Sequence, residues 1–99
     1  MDIVLAKTFL EIASTGSFVA AASRLNVTQT AVSARVKALE EQLGRRLFVR
    51  NKSGARLTAA GERFVRHATT MVQAWDQARK QVGLPPGRVD IASAGAEIS

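Results

Sequence analysis

Two helices joined by a tight turn are written into residues 17–43, S-F-V-A-A-A-S-R-L-N-V-T-Q-T-A-V-S-A-R-V-K-A-L-E-E-Q-L. Ser17 is a natural N-cap for a helix over 18–25, whose inward side is Phe18, Ala21, Ala22 and Leu25. Asn26 suits the left-handed conformation that ends such a helix, and Val27 turns into the core. Thr28 caps the next helix, which runs to Leu43 and is stopped by Gly44. Three consecutive alanines, Ala20 to Ala22, let the second helix cross the first closely and present its far side outward.

On that second helix Val32, Val36, Leu39 and Leu43 form the buried stripe. At about 100° per residue the opposite side carries Thr30, Ala34, Lys37 and Glu41, with Ser33 beside them. Gln29 lies in the first turn, where free backbone N–H groups can meet a phosphate or a base edge. A merely solvated face would carry Glu and Lys throughout. Here its start is short, polar and uncharged, and Gln, Thr and Ser both donate and accept, as reading base edges in a major groove requires.

The charge distribution points the same way. The chain has 14 basic and 8 acidic residues, a net charge of +6. Between Arg24 and Arg66 ten cations face three acids, a local net of +7, so the rest of the chain is slightly acidic. Charge gathered like this suits a polyanion, because each neutralised phosphate releases counterions. A solvated basic face without a partner is the plain alternative.

The flanking segments supply a frame. Asp2 caps a first helix through Ile3, Leu5, Ala6, Phe9, Leu10, Ile12 and Ala13, stopped by Gly16. After Gly44, the apolar run Leu47-Phe48-Val49 and the resumption at Leu57 predict a two-stranded hairpin, with Asn51, Ser53 and Gly54 in its turn. Arg50, Lys52 and Arg56 are expected at its tip, within reach of phosphates or a minor groove. Thr58 caps a fourth helix along which Gly61, Phe64, Ala68, Met71, Trp75, Ala78 and Val82 recur at alternating steps of three and four. That seam either folds back over the core or pairs with the same seam of another chain; the helix is long for so small a domain, which favours pairing. Phe64, Ala68, Met71, Trp75, Ala78 and Val82 are therefore the expected dimer interface, with Trp75 as its anchor. Gly83 to Gly87 breaks the helix, and Arg88-Val89-Asp90-Ile91-Ala92 alternates like the first strand of something further along.

Composition removes several classes. Ninety-nine residues make one domain of globular composition, 46% hydrophobic and 22% charged. With no cysteine and a single histidine, His67, neither a thiolate nucleophile nor a zinc site is expected, and nothing pairs a nucleophile with a base. No apolar run reaches the roughly 18 residues of a membrane span, and the first residues lack a signal-peptide pattern, which makes the cytoplasm the simplest compartment.

With these pieces in place, the chain resembles the N-terminal DNA-binding domain of LysR-type transcriptional regulators of bacteria. The resemblance rests on F-L-E-I-A-S-T-G-S-F at 9–18, A-A-A-S-R-L-N-V-T-Q-T-A-V-S at 20–33, L-E-E-Q-L-G-R-R-L-F-V-R at 39–50 and L-T-A-A-G-E at 57–62, in the family's order. It implies a mainly α fold: a winged helix-turn-helix over 1–58, a dimerising linker helix over 59–83, and a hinge with the start of an effector-binding domain over 84–99. It also implies double-stranded DNA as partner, a homodimer that becomes a tetramer in the longer protein, and a small-molecule effector held by the domain that would follow, with no cofactor in this chain. By position, Gln29, Thr30 and Ser33 match the family's base- and phosphate-contacting residues, and Arg50 matches its wing arginine. Thr28, Arg35, Lys37, Lys52 and Arg56 complete the expected DNA-binding set. The family often has arginine straight after the serine; here Ala34 intervenes, and Arg35 lies about 70° from the centre of the buried stripe, leaving backbone and base contact both open. Two other readings stay open: a different winged-helix regulator, such as a molybdate-responsive one, and a winged-helix protein-interaction module that does not read DNA.

Overall fold

The computed structural model describes residues 2–83, so the expected hinge and the strand at 88–92 lie outside the described residues. Four helices and one hairpin follow in the order α1 (Ile3–Thr15), α2 (Phe18–Leu25), α3 (Gln29–Leu43), β1 (Phe48–Asn51), β2 (Gly54–Leu57) and α4 (Ala59–Val82). This is a winged helix-turn-helix with a long C-terminal helix. Each helix begins where a side chain can satisfy a free N–H: Asp2, Ser17, Thr28 and Thr58 accept from Val4, Ala20, Ala31 and Gly61 respectively. Asn26 takes the left-handed conformation at φ 60°, ending α2 and starting the turn.

α1 is the hub, packed on α2, α3 and α4. Phe9 has no exposed surface, and its ring lies 5.3 Å from that of Phe48 and 5.1 Å, edge-on, from that of Phe64. Ile12, Ala21, Val32, Leu39 and Leu47 close the core around it. The expected stripe of α3 is buried through Val32, Val36 and Leu39 but not at Leu43, which is 42% exposed. The last turn of α3 runs past the body of the domain, and Leu43 lies beside a shallow depression with Phe64 and His67.

The wing pairs Phe48 with Leu57, Val49 with Arg56, Arg50 with Ala55 and Asn51 with Gly54. Its strands are longer than the sequence suggested, so Lys52 and Ser53 alone make the turn, where the Ser53 N–H donates to Asn51 Oδ1 at 2.8 Å. A backbone contact ties the hairpin to the body: the Ala55 N–H donates to the Gly16 carbonyl at 2.9 Å. At the base of the hairpin the Thr58 N–H donates to the Leu47 carbonyl at 2.9 Å, extending the ladder by one pair. Gly54 is required at the body contact: its φ is 138°, and a Cβ there would collide with the Gly16 carbonyl.

Part of the α4 seam packs within this chain, which corrects the expectation that all of it faces another chain. Ala68 has no exposed surface, and Phe64 packs on Phe9, so both belong to this chain's own core. Val65 and Val72 also pack there. Beyond them Trp75 is 45% exposed and Val82 87% exposed. Length explains the division. A 13-residue α1 is about 20 Å long and cannot cover a 24-residue α4 of about 36 Å. Packing therefore runs across the expected boundary at 58/59.

Candidate nucleic-acid interface

The start of α3 projects from the domain because small residues stand behind it. Ala21 and Ala22 of α2 are buried, α2 packs on α3, and such short side chains permit a close crossing. Gln29, Thr30, Ala34 and Lys37 are exposed and Ser33 is half-exposed, so the polar face anticipated from the sequence is a free surface. Thr28 is exposed too, but its hydroxyl already serves the helix, accepting from the Ala31 N–H at 3.0 Å.

The three wing cations do not share one place. Arg56 stands opposite Val49 and, like it, faces away from the core. Lys52 occupies the tip. Arg50 points along the inner face, the same face as buried Phe48, and its guanidinium carbon lies 3.9 Å above the centre of the Phe18 ring. One guanidinium nitrogen is 3.4 Å from Ser33 Oγ on α3. The wing arginine therefore lies against the reading face of the helix, held by an aromatic plane beneath it. Expectation and structure differ here: Arg50 is not a tip residue.

Arg35 is also placed differently from an outward-reaching cation. It is half-buried, and Nη1 donates to Thr8 Oγ1 of α1 at 3.2 Å, while that hydroxyl donates to the Val4 carbonyl at 2.8 Å. Arg24, counted in the basic cluster, pairs with Glu11 at 2.9 Å. Lys37, Arg50, Lys52 and Arg56 remain as the cations flanking the start of α3 and the wing.

Three contributors were not singled out in the sequence. Phe18 looked like plain core but also supports Arg50. Glu40 figured in the sequence only through the charge count, yet its carboxylate accepts from the Leu47 N–H at 2.7 Å and the Phe48 N–H at 3.3 Å. Arg46 pairs with that same carboxylate at 3.5 Å. Together with Ser33, Lys37 and Arg50 these residues line a cleft of about 150 Å³ between α3 and the wing. No other sequence signal marked them, since their partners lie across a turn. Among the described residues no group of three or more metal-ligating side chains converges, and no helix is long and apolar enough to cross a membrane.

Residues 3–62, which hold this helix start and the cationic hairpin beside it, match the family described as bacterial regulatory helix-turn-helix protein, lysR family. The chain belongs to the LysR family. Among its curated LysR-family relatives is the HTH-type transcriptional regulator HdfR of Escherichia coli O139:H28, 50% identical over 82 residues. That match takes in 83% of this chain but 29% of HdfR, so the chain spans under a third of the length of such relatives. Solved LysR-family structures share the fold. The DNA-binding domain of CbnR in complex with DNA superimposes with a TM-score of 0.79 at 33% identity, over 82% of this chain and 93% of that one. Full-length LysG of Corynebacterium glutamicum with bound effector Arg gives 0.72 at 40% identity, over 82% of this chain and 28% of LysG.

Proposed function

We propose that this chain reads double-stranded DNA as the sequence-specific binding domain of a LysR-type transcriptional regulator. Residues at the start of α3, Gln29, Thr30 and Ser33, address base edges in a major groove, while Lys37 and the wing cations Arg50, Lys52 and Arg56 hold the phosphates or minor groove alongside. The observation that carries this reading is the junction of Arg50 with Ser33, which joins the wing and the polar helix face into one surface. The DNA complex of CbnR, a relative of the same fold, supports it. Two chains pair through the exposed half of α4, around Met71, Trp75, Ala78 and Val82, and set two α3 helices into successive major grooves of an inverted repeat. The role is binding, not catalysis, and it is exercised in the cytoplasm. In the longer protein, a further domain takes a small-molecule effector, and dimers join into tetramers.

The test is a salt-series anisotropy titration on two labelled duplexes. One carries an inverted repeat with T and A at its outer positions, taken from upstream of the protein's own gene; the other is scrambled. Preferential binding is expected. With Lys37, Arg50, Lys52 and Arg56 each neutralising one phosphate, the logarithmic salt slope is about −3.6 for one chain and about −7 for two. Equal, weak binding to every duplex tried, with a slope near zero, would turn the reading toward a protein-interaction module.

A further inference from the structure

The least expected feature of the domain is an acid at the wrong end of a helix. Glu40 lies in the last turn of α3, where aligned carbonyls disfavour negative charge, and no basic residue of that turn offsets it. Its surroundings account for its presence. The Glu40 backbone carbonyl accepts from the N–H groups of Gly44 at 2.8 Å and Arg45 at 3.2 Å, closing the helix. Its side chain, 14% exposed, reaches on to the N–H groups of Leu47 and Phe48, the residues that open the wing. One residue thus binds the chain four, five, seven and eight positions ahead, from the end of the reading helix to the first residue of β1. Hydrogen bonds to a carboxylate are charge-assisted and firmer than those between neutral groups, and the one from Leu47, at 2.7 Å, is the shorter of the two. Among the described residues, Glu40 makes the side-chain bonds from α3 to the wing backbone; the other α3–wing bond is Ser33 to Arg50.

Resting on the DNA-reading function proposed above, we infer that Glu40 is a positioning residue that fixes the wing against α3, so that Arg50 meets the DNA while α3 occupies the groove. Glu40 touches no DNA itself. Its carboxylate sets where β1 departs, and β1 carries Arg50 two residues beyond the amide that Glu40 holds. The Phe18 ring and Ser33 then receive the guanidinium at a defined place. Without the clamp the hairpin stays joined to the body through the Ala55 bond and the buried Phe48 ring, so the domain persists while β1 loses the bonds that set its angle against α3.

A double-mutant cycle on the flanked cognate duplex tests this. Arg50→Ala is expected to weaken binding roughly tenfold per chain, the scale of one lost DNA contact, and to lower the salt slope by about 0.9 for each chain bound. Glu40→Ala should cause a several-fold loss and a similar fall in slope, although it removes a negative charge that would otherwise strengthen binding. In the Arg50→Ala background the same change should cost less than about twofold, because the contact it positions is already gone. Glu40→Gln, which keeps an acceptor for the amides, should recover most of the loss. Thermal melting of each variant checks the fold; if Glu40→Ala does not fold, Glu40→Asp runs the same cycle, its carboxylate drawn back by one methylene. Losses that multiply in the double mutant, or a folded Glu40→Ala with unchanged affinity and slope, overturn the inference while leaving the DNA-reading function intact. Wild-type protein that prefers no duplex, with Arg50→Ala silent, overturns both.

Discussion

Replacing Gly61 by alanine sets two effects of opposite sign against each other, and the structure decides between them. In the interior of a helix the change should stabilise by about 1 kcal/mol, because alanine loses less backbone freedom than glycine. Gly61, however, is buried where α4 crosses the hairpin, and a Cβ there would collide with the Leu47 carbonyl oxygen and lie 2.9 Å from Leu57 Cδ2. Carbon–oxygen contacts relax near 3.3–3.6 Å, so relief needs a shift on the order of 1 Å. The obstacle is backbone, not the end of a flexible side chain. The Leu47 carbonyl also accepts the Thr58 N–H at 2.9 Å, and Thr58 Oγ1 donates to the Arg46 carbonyl at 2.6 Å, so α4 cannot withdraw without straining its own cap. Overpacking costs about 1–3 kcal/mol, and a weakened hydrogen bond adds about 0.5–1.5 kcal/mol. Set against the propensity gain, the net is a destabilisation of about 0.5–3.5 kcal/mol. At about 4–8 °C per kcal/mol for a domain of this size, a midpoint of about 2 kcal/mol lowers Tm by roughly 8–16 °C. The assay is thermal melting followed by circular dichroism, at one fixed protein concentration because self-association shifts Tm. Ala74→Gly, at an exposed position of the same helix, measures the propensity term separately. A Gly61→Ala variant melting at or above wild type would refute the close approach of α4 to the hairpin.

Thr30→Ala and Ser33→Ala should each lower preference for the cognate duplex by about 1–3 kcal/mol per lost base contact while leaving scrambled DNA nearly unaffected; equal weakening of both duplexes in anisotropy would reduce them to positioning contacts. Arg50→Lys keeps the charge but not the flat guanidinium over Phe18, so affinity should fall several-fold with the salt slope unchanged, as a salt-series titration would record. Trp75→Ala should weaken self-association by about 2 kcal/mol or more in sedimentation; unchanged sedimentation removes it from the interface.

The helix ends were legible because capping is local chemistry. Asp2, Ser17, Thr28 and Thr58 each bond an amide two or three residues ahead, and Asn26 adopts its own left-handed turn, so nothing distant is needed to place them. The candidate site was less legible wherever its geometry depends on register or on a remote partner. Arg50, Lys52 and Arg56 read as one cluster in the sequence, but a two-residue turn pairs Arg50 with Ala55 and Val49 with Arg56, sending the two arginines to opposite faces of the wing. Arg35 had a computable angle on α3, yet the Thr8 hydroxyl that receives it is 27 residues away. Glu40 carried no signal beyond its charge because its partners follow a helix end and a turn.

The seam of α4 is the instructive case, because its pattern was correct and insufficient. Steps of three and four state that one side of a helix is apolar; they do not state what covers it. Coverage depends on how far α1 extends, and its cap Asp2 and first residue Ile3 only border a groove beside Trp75 and Ala78, while α4 runs on to Val82. Phe64 and Ala68 therefore answer to the fold of a single chain, and Trp75 and Val82 to whatever meets the free half. The two halves are separable by experiment for that reason. Substitutions at Gly61 or Ala68 should appear in the melting of the domain, and those at Trp75 or Val82 in its association. In the pairing proposed above, a helix that is core at one end and interface at the other also fixes the angle between the two chains, because the half that pairs cannot turn without dragging the half that packs on Phe9.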